Sequence, residues 1–348
     1  MHTDELYMRR CLQLAHQAAG HTAPNPMVGA VVVYDGRIIG EGYHHRCGEP
    51  HAEVNAIASV QNPELLRHAT LYVNLEPCSH YGKTPPCAKL IIEKKIPRVV
   101  VGMGDPNERV NGRGIAMLRE AGVEVVTFVL EDECRQLNRR FVTFHTQHRP
   151  YVILKWAQTA DGFIDVARTD NHTPPLRISN NITKTLNHQM RTEEAAILVG
   201  TNTALLDNPH LTARKWSGQN PVRMVVDRTL RIPADYHLYD GTTPTVIFTD
   251  ETAENRTNIT FAKLDVGRNI VPQILDYLYQ NNLQSVIVEG GRQLLQAFID
   301  AGVWDEAHIE TAPMVVGCGV PAPKITMNTT ETIMYEQNRM DIGTRITT

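Results

Sequence analysis

The sequence predicts an α/β protein built as two domains. Three observations carry this: strands and helices alternate along the chain, a short polar stretch ending at Pro150 interrupts the alternation, and 348 residues suit two domains better than one. Apolar residues make up 42% and charged residues 21%, a balance that supports packed cores and excludes a disordered chain. Lys and Arg total 34 against 38 Asp and Glu, a formal charge of −4, so a polybasic nucleic-acid surface is not expected. No apolar run is long enough to span a membrane, and the charged start MHTDELYMRR has no signal-peptide core, so a cytoplasmic protein without a membrane partner is expected. The six cysteines are scattered, as expected of free thiols in a reducing compartment.

The elements follow in order. Apolar residues at helical spacing predict a helix over 4–19, which Pro24-Asn25-Pro26 ends. A β-branched run predicts a strand over 28–34, Asp35-Gly36 a hairpin turn, and 37–41 the returning strand. Then come a helix over 50–60, a strand over 70–75, a helix over 86–95 opened by Pro86, and a strand over 98–102. A helix over 114–121 stopped by Gly122, a strand over 123–128 and a helix over 131–144 complete the first half. The boundary is placed at 146/147, giving domains over 1–146 and 147–348. In the second half, strands are expected over 151–156, 195–199, 222–226, 246–248 and 286–288. Helices are expected over 180–192, 270–281 and 293–301. The Thr-rich last 25 or so residues carry no assignment.

The first half carries metal chemistry. His51 stands at a helix start, Cys78 follows Pro77, and Cys87 follows Pro86 at the next helix start. One imidazole and two thiolates suit zinc, and three protein ligands leave a fourth position for water, whose pKa such a metal lowers. Glu53, two residues after His51, is placed to move a proton between that water and a leaving amine. His-x-Glu followed by Pro-Cys and a second Cys is the pattern of zinc deaminases, although here Ser79 through Pro86 separate the cysteines instead of two residues. Any one of these residues alone is better explained as packing; the four together are not.

Asn25-Pro26-Met27-Val28-Gly29, Gly42-Tyr43-His44, Gly48-Glu49-Pro50-His51-Ala52-Glu53 and the run from Leu75 through Pro77-Cys78, Lys83 and Pro86-Cys87 resemble the bifunctional deaminase/reductase family of riboflavin biosynthesis. Gly104-Asp105-Pro106-Asn107 and Asn111-Gly112-Arg113-Gly114 add to the likeness. The resemblance implies a cytidine-deaminase-like zinc domain binding one zinc per chain. It also implies a substrate with a diaminopyrimidinone ring bearing a ribosylamino 5′-phosphate, contacted by Asn25, His44, Lys83, Asp105 and Asn107.

The second half lacks a Gly-x-Gly-x-x-Gly fingerprint. Its strongest local signal is Val286-Ile287-Val288-Glu289-Gly290-Gly291, a strand running into two glycines and a helix, a junction able to cradle phosphate. With Lys155-Trp156-Ala157-Gln158-Thr159-Ala160-Asp161-Gly162, Gly200-Thr201-Asn202-Thr203 and Asp207 through Arg214, it resembles the reductase half of the same family. That half is dihydrofolate-reductase-like and uses NADPH. The resemblance places Ala157, Thr203, Asp207 and the residues Gly291, Arg292, Gln293, Leu294, Leu295, Gln296 and Ala297 on the cofactor. It places Arg191, Leu211, Arg214 and Glu289 on the substrate. Lys155 and Glu289 are the candidates for proton transfer. Asp165 stands where the family has a small apolar residue, and Pro175-Leu176-Arg177-Ile178-Ser179 also departs from its pattern.

Two other readings compete. A nucleoside or tRNA-base deaminase with an unrelated second domain would share the zinc site, but the acidic balance disfavours tRNA. A zinc-stabilised pyrimidine binder would have no use for Glu53. A homo-oligomer is expected, with a small phosphorylated pyrimidine as substrate.

Overall fold

A computed structural model describes residues 3–79, 85–107 and 111–346. The chain divides into two compact units, Met1–His148 and Arg149–Thr348. Among the described residues no helix is long and apolar enough to cross a membrane.

The first unit runs α1 (Thr3–His16), β1 (Gly29–Tyr34), β2 (Arg37–Tyr43), α2 (Ala52–Ala58), β3 (Thr70–Leu75), α3 (Cys87–Glu93), β4 (Arg98–Met103), α4 (Arg113–Glu120), β5 (Glu124–Val126), α5 (Glu131–Leu137) and α6 (Arg139–Gln147). Its five strands lie in the order β2-β1-β3-β4-β5. β1 is antiparallel to β2 and β3, and β3, β4 and β5 are parallel. The β1–β2 turn forms because Asp35 and Gly36 both take left-handed backbone, φ 49° and 70°, which matches the twist of a tight hairpin. Alternation along the strands makes two cores. Ala30, Val32, Val73, Val99 and Val101 pack with Ala56, Ile57, Ala88 and Ile91 on one face. Val31, Val33, Tyr72 and Val100 pack with Met8, Cys11 and Cys134 on the other.

The single helix expected over 131–144 is two helices meeting at Asn138. The Asn138 side chain accepts from Met27 N at 2.8 Å and donates to Met27 O at 3.0 Å. That tie to the 25–29 loop outweighs helix continuity, in keeping with the tendency of Asn side chains to compete for backbone groups.

The second unit contains β6 (Tyr151–Thr159), β7 (Phe163–Asp165), α7 (Asn181–Glu193), β8 (Ala196–Gly200), α8 (Thr201–Asp207), β9 (Val222–Val226), β10 (Thr245–Thr249), β11 (Ile259–Lys263), α9 (Ile270–Gln280), β12 (Ser285–Val288), α10 (Arg292–Asp300), β13 (Glu306–Ala312), β14 (Val320–Pro321), β15 (Met327–Tyr335) and β16 (Asn338–Arg345). The nine-stranded sheet has the order β11-β10-β9-β8-β12-β6-β13-β16-β15. It is parallel from β11 to β13 and antiparallel where β16 and β15 join. The unassigned tail is thus a hairpin that extends the sheet. Val152, Leu154, Trp156 and Leu198 form a core with Ile274, Leu278, Leu295 and Phe298, while Ile197, Val199, Val225 and Ile287 face the opposite side. β8, β12 and β6 are neighbours, so Gly200, Glu289 and Lys155 gather near one end of the sheet.

Candidate active sites

In the first unit, His51 is the residue before α2, and Cys87 is the first residue of α3. Cys78 lies in the loop leaving β3. Their donor atoms all lie within 4.8 Å of one another. His51 Nδ1 is 3.3 Å from Cys87 Sγ and 3.6 Å from Cys78 Sγ, and Cys87 N donates to Cys78 Sγ at 3.3 Å. The Cys78 thiol is held down to about 4, first by its hydrogen bond with the Cys87 side chain and, against burial, by His51. The Cys87 thiol is pushed up by the same pairing and by burial. Two thiols that share one proton beside an imidazole are a donor set that fits zinc.

Glu53, in the first turn of α2, is 3% exposed. Burial raises its carboxyl to about 7, against the pull of His51, and it hydrogen-bonds Cys87. A carboxyl balanced near neutrality beside the donor set can both take and give a proton.

Of the residues expected to hold the deaminase substrate, His44 lies against this set and Asn25 against His44, Asn107 is tied to Asp105, and Lys83 lies outside the described residues. His44 is 2% exposed, and its ring meets that of His51 edge-on with centroids 5.5 Å apart. His44 Nδ1 is 3.1 Å from Pro50 O, which can only accept, so Nδ1 carries the proton. Nε2 then accepts from Asn25 Nδ2 at 3.1 Å. Burial first, and then His51, lowers the His44 pKa, against the hydrogen bond to Pro50. This neutral ring fixes the Asn25 amide. Asp105 is buried, and burial raises its carboxyl to about 6. Its Oδ1 accepts from Asn107 N at 2.8 Å. Sequence reasoning did not single out Glu76, whose buried carboxylate accepts four backbone N–H groups of the 105–115 segment. Its one signal was an acid between a strand and Pro77-Cys78.

In the second unit, Lys155 Nζ donates to Glu289 Oε1 at 3.1 Å, and Arg191 Nη2 donates to Glu289 Oε2 at 2.7 Å. Burial would raise the Glu289 carboxyl, but Arg191 and Lys155 outweigh it and hold it at about 2. Glu289 therefore stays ionised and is not a proton donor near neutrality; it holds the two cations. Of the two proton-transfer candidates, Lys155 remains. Arg191 Nη1 also donates to Thr212 O at 3.2 Å, and Arg214 Nη1 to Thr212 Oγ1 at 2.9 Å. Both arginines therefore meet at Thr212. Leu211, by contrast, has left-handed backbone, φ 53°, and its side chain is buried in the core with Ile197 and Val199, away from the two arginines' contacts at Thr212. His188, one turn before Arg191, was missed. Its Nδ1 accepts from Arg214 N at 3.0 Å, and burial, followed by Arg191 and Arg214, lowers its pKa to about 4.

The expected cofactor residues are only partly gathered. A Cβ on Gly290 or Gly291 would lie 3.2 or 3.3 Å from Thr203 Oγ1, and both glycines have positive φ, so Thr203 packs directly on this turn. Ala157 is half-buried on β6. From the run 291–297, however, Leu294 and Leu295 are core residues, Ala297 packs on that core, and Gln296 accepts from Lys324 N at 2.8 Å. Helical periodicity turns Leu294, Leu295 and Ala297 inward, which leaves Gly291, Arg292 and Gln293 at the open start of α10. Asp207 pairs with Arg168 at 2.5 Å. Arg168 also pairs with Asp165, whose Oδ1 accepts from Val166 N and Leu176 N, both at 2.9 Å. The unusual Asp165 thus ties down the segment that departs from the family pattern.

Residues 1–103 match the cytidine and deoxycytidylate deaminase zinc-binding region, and residues 150–332 match the RibD C-terminal domain. The chain is 40% identical over 323 residues to the riboflavin biosynthesis protein RibD of Aquifex aeolicus, covering 91% of this chain and 89% of that protein. It is 34% identical to RibD of Escherichia coli, covering 90% and 89%. The crystal structure of a diaminohydroxyphosphoribosylaminopyrimidine deaminase/5-amino-6-(5-phosphoribosylamino)uracil reductase from Thermotoga maritima superposes with a TM-score of 0.90 at 36% identity, covering 99% of both chains.

Proposed function

Because the chain belongs to the RibD family of bifunctional deaminase/reductases of riboflavin biosynthesis, we propose that it deaminates 2,5-diamino-6-(5-phosphoribosylamino)pyrimidin-4-one in its first unit. The second unit then reduces the ribosyl side chain of the product to ribityl with NADPH. The match over 150–332 sets aside a deaminase carrying an unrelated second domain.

The observation that carries the deaminase half is the convergence of His51, Cys78 and Cys87 within 4.8 Å, with Glu53 buried alongside. These three side chains would hold zinc, which when bound polarises water for attack on an electrophilic ring carbon. Glu53 takes a proton from the attacking water and delivers it to the exocyclic amine; the new C–O bond replaces the C–N bond, and ammonia leaves. The His44–Asn25 pair presents an amide of fixed orientation to the ring, and Asp105 and Asn107 suit sugar hydroxyls and ring edges. Lys83 joins them by resemblance as a phosphate contact.

In the second unit, NADPH when bound would supply a hydride to the sugar carbon attached to the amine nitrogen, whose bond to the ring oxygen breaks. Lys155, locked against Glu289, is placed to deliver the proton that the opened sugar oxygen takes up. Arg191 and Arg214, joined through Thr212, form the clamp for the substrate phosphate. The turn at Gly290 and Gly291, with Thr203 and the first amides of α10, suits the cofactor pyrophosphate. Incubating purified, zinc-loaded protein with the diaminopyrimidinone ribosyl phosphate should release ammonia without NADPH and yield the ribitylamino product with it. Absence of ammonia would overturn the assignment.

A further inference from the structure

We infer that Glu76 is a positioning residue that locks the loop carrying Asp105 and Asn107 to the turn carrying Cys78. The inference rests on the proposed substrate role of Asp105.

Glu76 leaves the end of β3, two residues before Cys78, with its N–H donating to Met103 O at 2.9 Å. It is 3% exposed. Oε2 accepts from Gly112 N at 2.9 Å and Asp105 N at 3.3 Å, and Oε1 accepts from Gly114 N at 2.8 Å and Ile115 N at 3.2 Å. Gly112 precedes α4, and Gly114 and Ile115 lie in its first turn, so the carboxylate takes up helix N–H groups that no intrahelical carbonyl can reach. It also meets the positive end of that helix. One side chain therefore binds both Asp105 and the start of α4.

The packing allows little slack. A Cβ at Gly114 would lie 1.9 Å from Pro77 O, so α4 sits directly on the peptide between Glu76 and Cys78. Asp105 in turn orients Asn107 through its carboxylate. The Glu76 carboxylate and the packing of Gly114 on Pro77 thus together hold Asp105 and α4 against the Cys78 turn. A neutral amide cannot replace the carboxylate, because its NH₂ would face two N–H donors.

Glu76→Gln should keep its zinc and its NADPH-dependent reduction of pre-deaminated substrate. It should raise KM for deamination about tenfold, the scale of a lost charge-assisted hydrogen bond, with a much smaller change in kcat. The amides of Gly112, Gly114 and Ile115 should exchange faster with solvent. Glu76→Asp, which keeps the charge but shortens the reach, should fall between; it serves as the test variant if the Gln form does not fold. Asp105→Asn should raise KM by itself, and the double variant should be no worse than the worse single one, because both act through the same loop. Penalties that multiply, or an unchanged KM in Glu76→Gln beside a raised one in Asp105→Asn, would overturn the positioning role. An unchanged KM in Asp105→Asn would instead overturn the substrate role of Asp105 on which the inference stands.

Discussion

Glu53 and Lys155 are each buried polar groups with a distinct proposed task, and single substitutions separate the two. Glu53→Gln keeps the shape and removes the proton carrier. Ammonia release should fall by at least about 10²-fold while reduction of pre-deaminated substrate persists. Lys155→Met removes the charge but keeps most of the stem, so NADPH oxidation should drop by a similar factor and ammonia release should be unchanged. A Lys155→Met enzyme that keeps more than about a tenth of its turnover would make Lys155 a bystander. Cys78→Ala with Cys87→Ala removes both thiols of the donor set, and elemental analysis should find the bound zinc gone. Glu289 carries a pH signature. Its folded pKa of about 2 lies below the ordinary 4.5, so its contribution to stability is fully present above 4.5 and is lost as the pH falls toward 2. The difference in unfolding midpoint between the native chain and Glu289→Gln should narrow across that window.

Elements hold these residues at fixed spacings, and the close approach of α4 to the Cys78 turn is the tightest of them. Gly114→Ala would place a methyl group 1.9 Å from Pro77 O, a backbone atom that cannot swing aside. A loss of about 1–3 kcal/mol is expected from chemical denaturation of the first unit, with deamination impaired more than reduction. Most elements were legible because alternation and helical spacing are local. Strands such as β3 (Thr70–Leu75) and β9 (Val222–Val226) lie where their apolar runs predict. The exceptions have physical causes. Asn138 divides one amphipathic run because Met27, far away in sequence, supplies both partners for its amide. β15 carries mostly exposed Thr, Asn and Glu, so its sequence has no apolar face, and only pairing with β16 makes it a strand.

At the scale of the whole chain, each of the two compact units carries one of the two candidate sites, and each activity should survive loss of the other. Equimolar Glu53→Gln and Lys155→Met proteins, mixed with substrate and NADPH, should together form the ribitylamino product that neither makes alone. Failure of the mixture, with each protein retaining its single activity, would mean that the deaminated intermediate does not pass through solution. The sequence by itself pointed to the two-part α/β organisation, to the family, and to His51, Cys78 and Cys87, whose donor atoms the structure brings together. The organisation rests on periodicity, the donor set on rare residue types at set spacings, and the family on motif likeness, all of which survive without coordinates. Only the tertiary structure decided that Glu289 is clamped by Arg191 and Lys155, that Leu211, Leu294 and Leu295 turn into the core, and that Glu76 and His188 belong with the sites. Such roles come from which side chains meet across strands and loops distant in sequence, and from the burial and charge they then share.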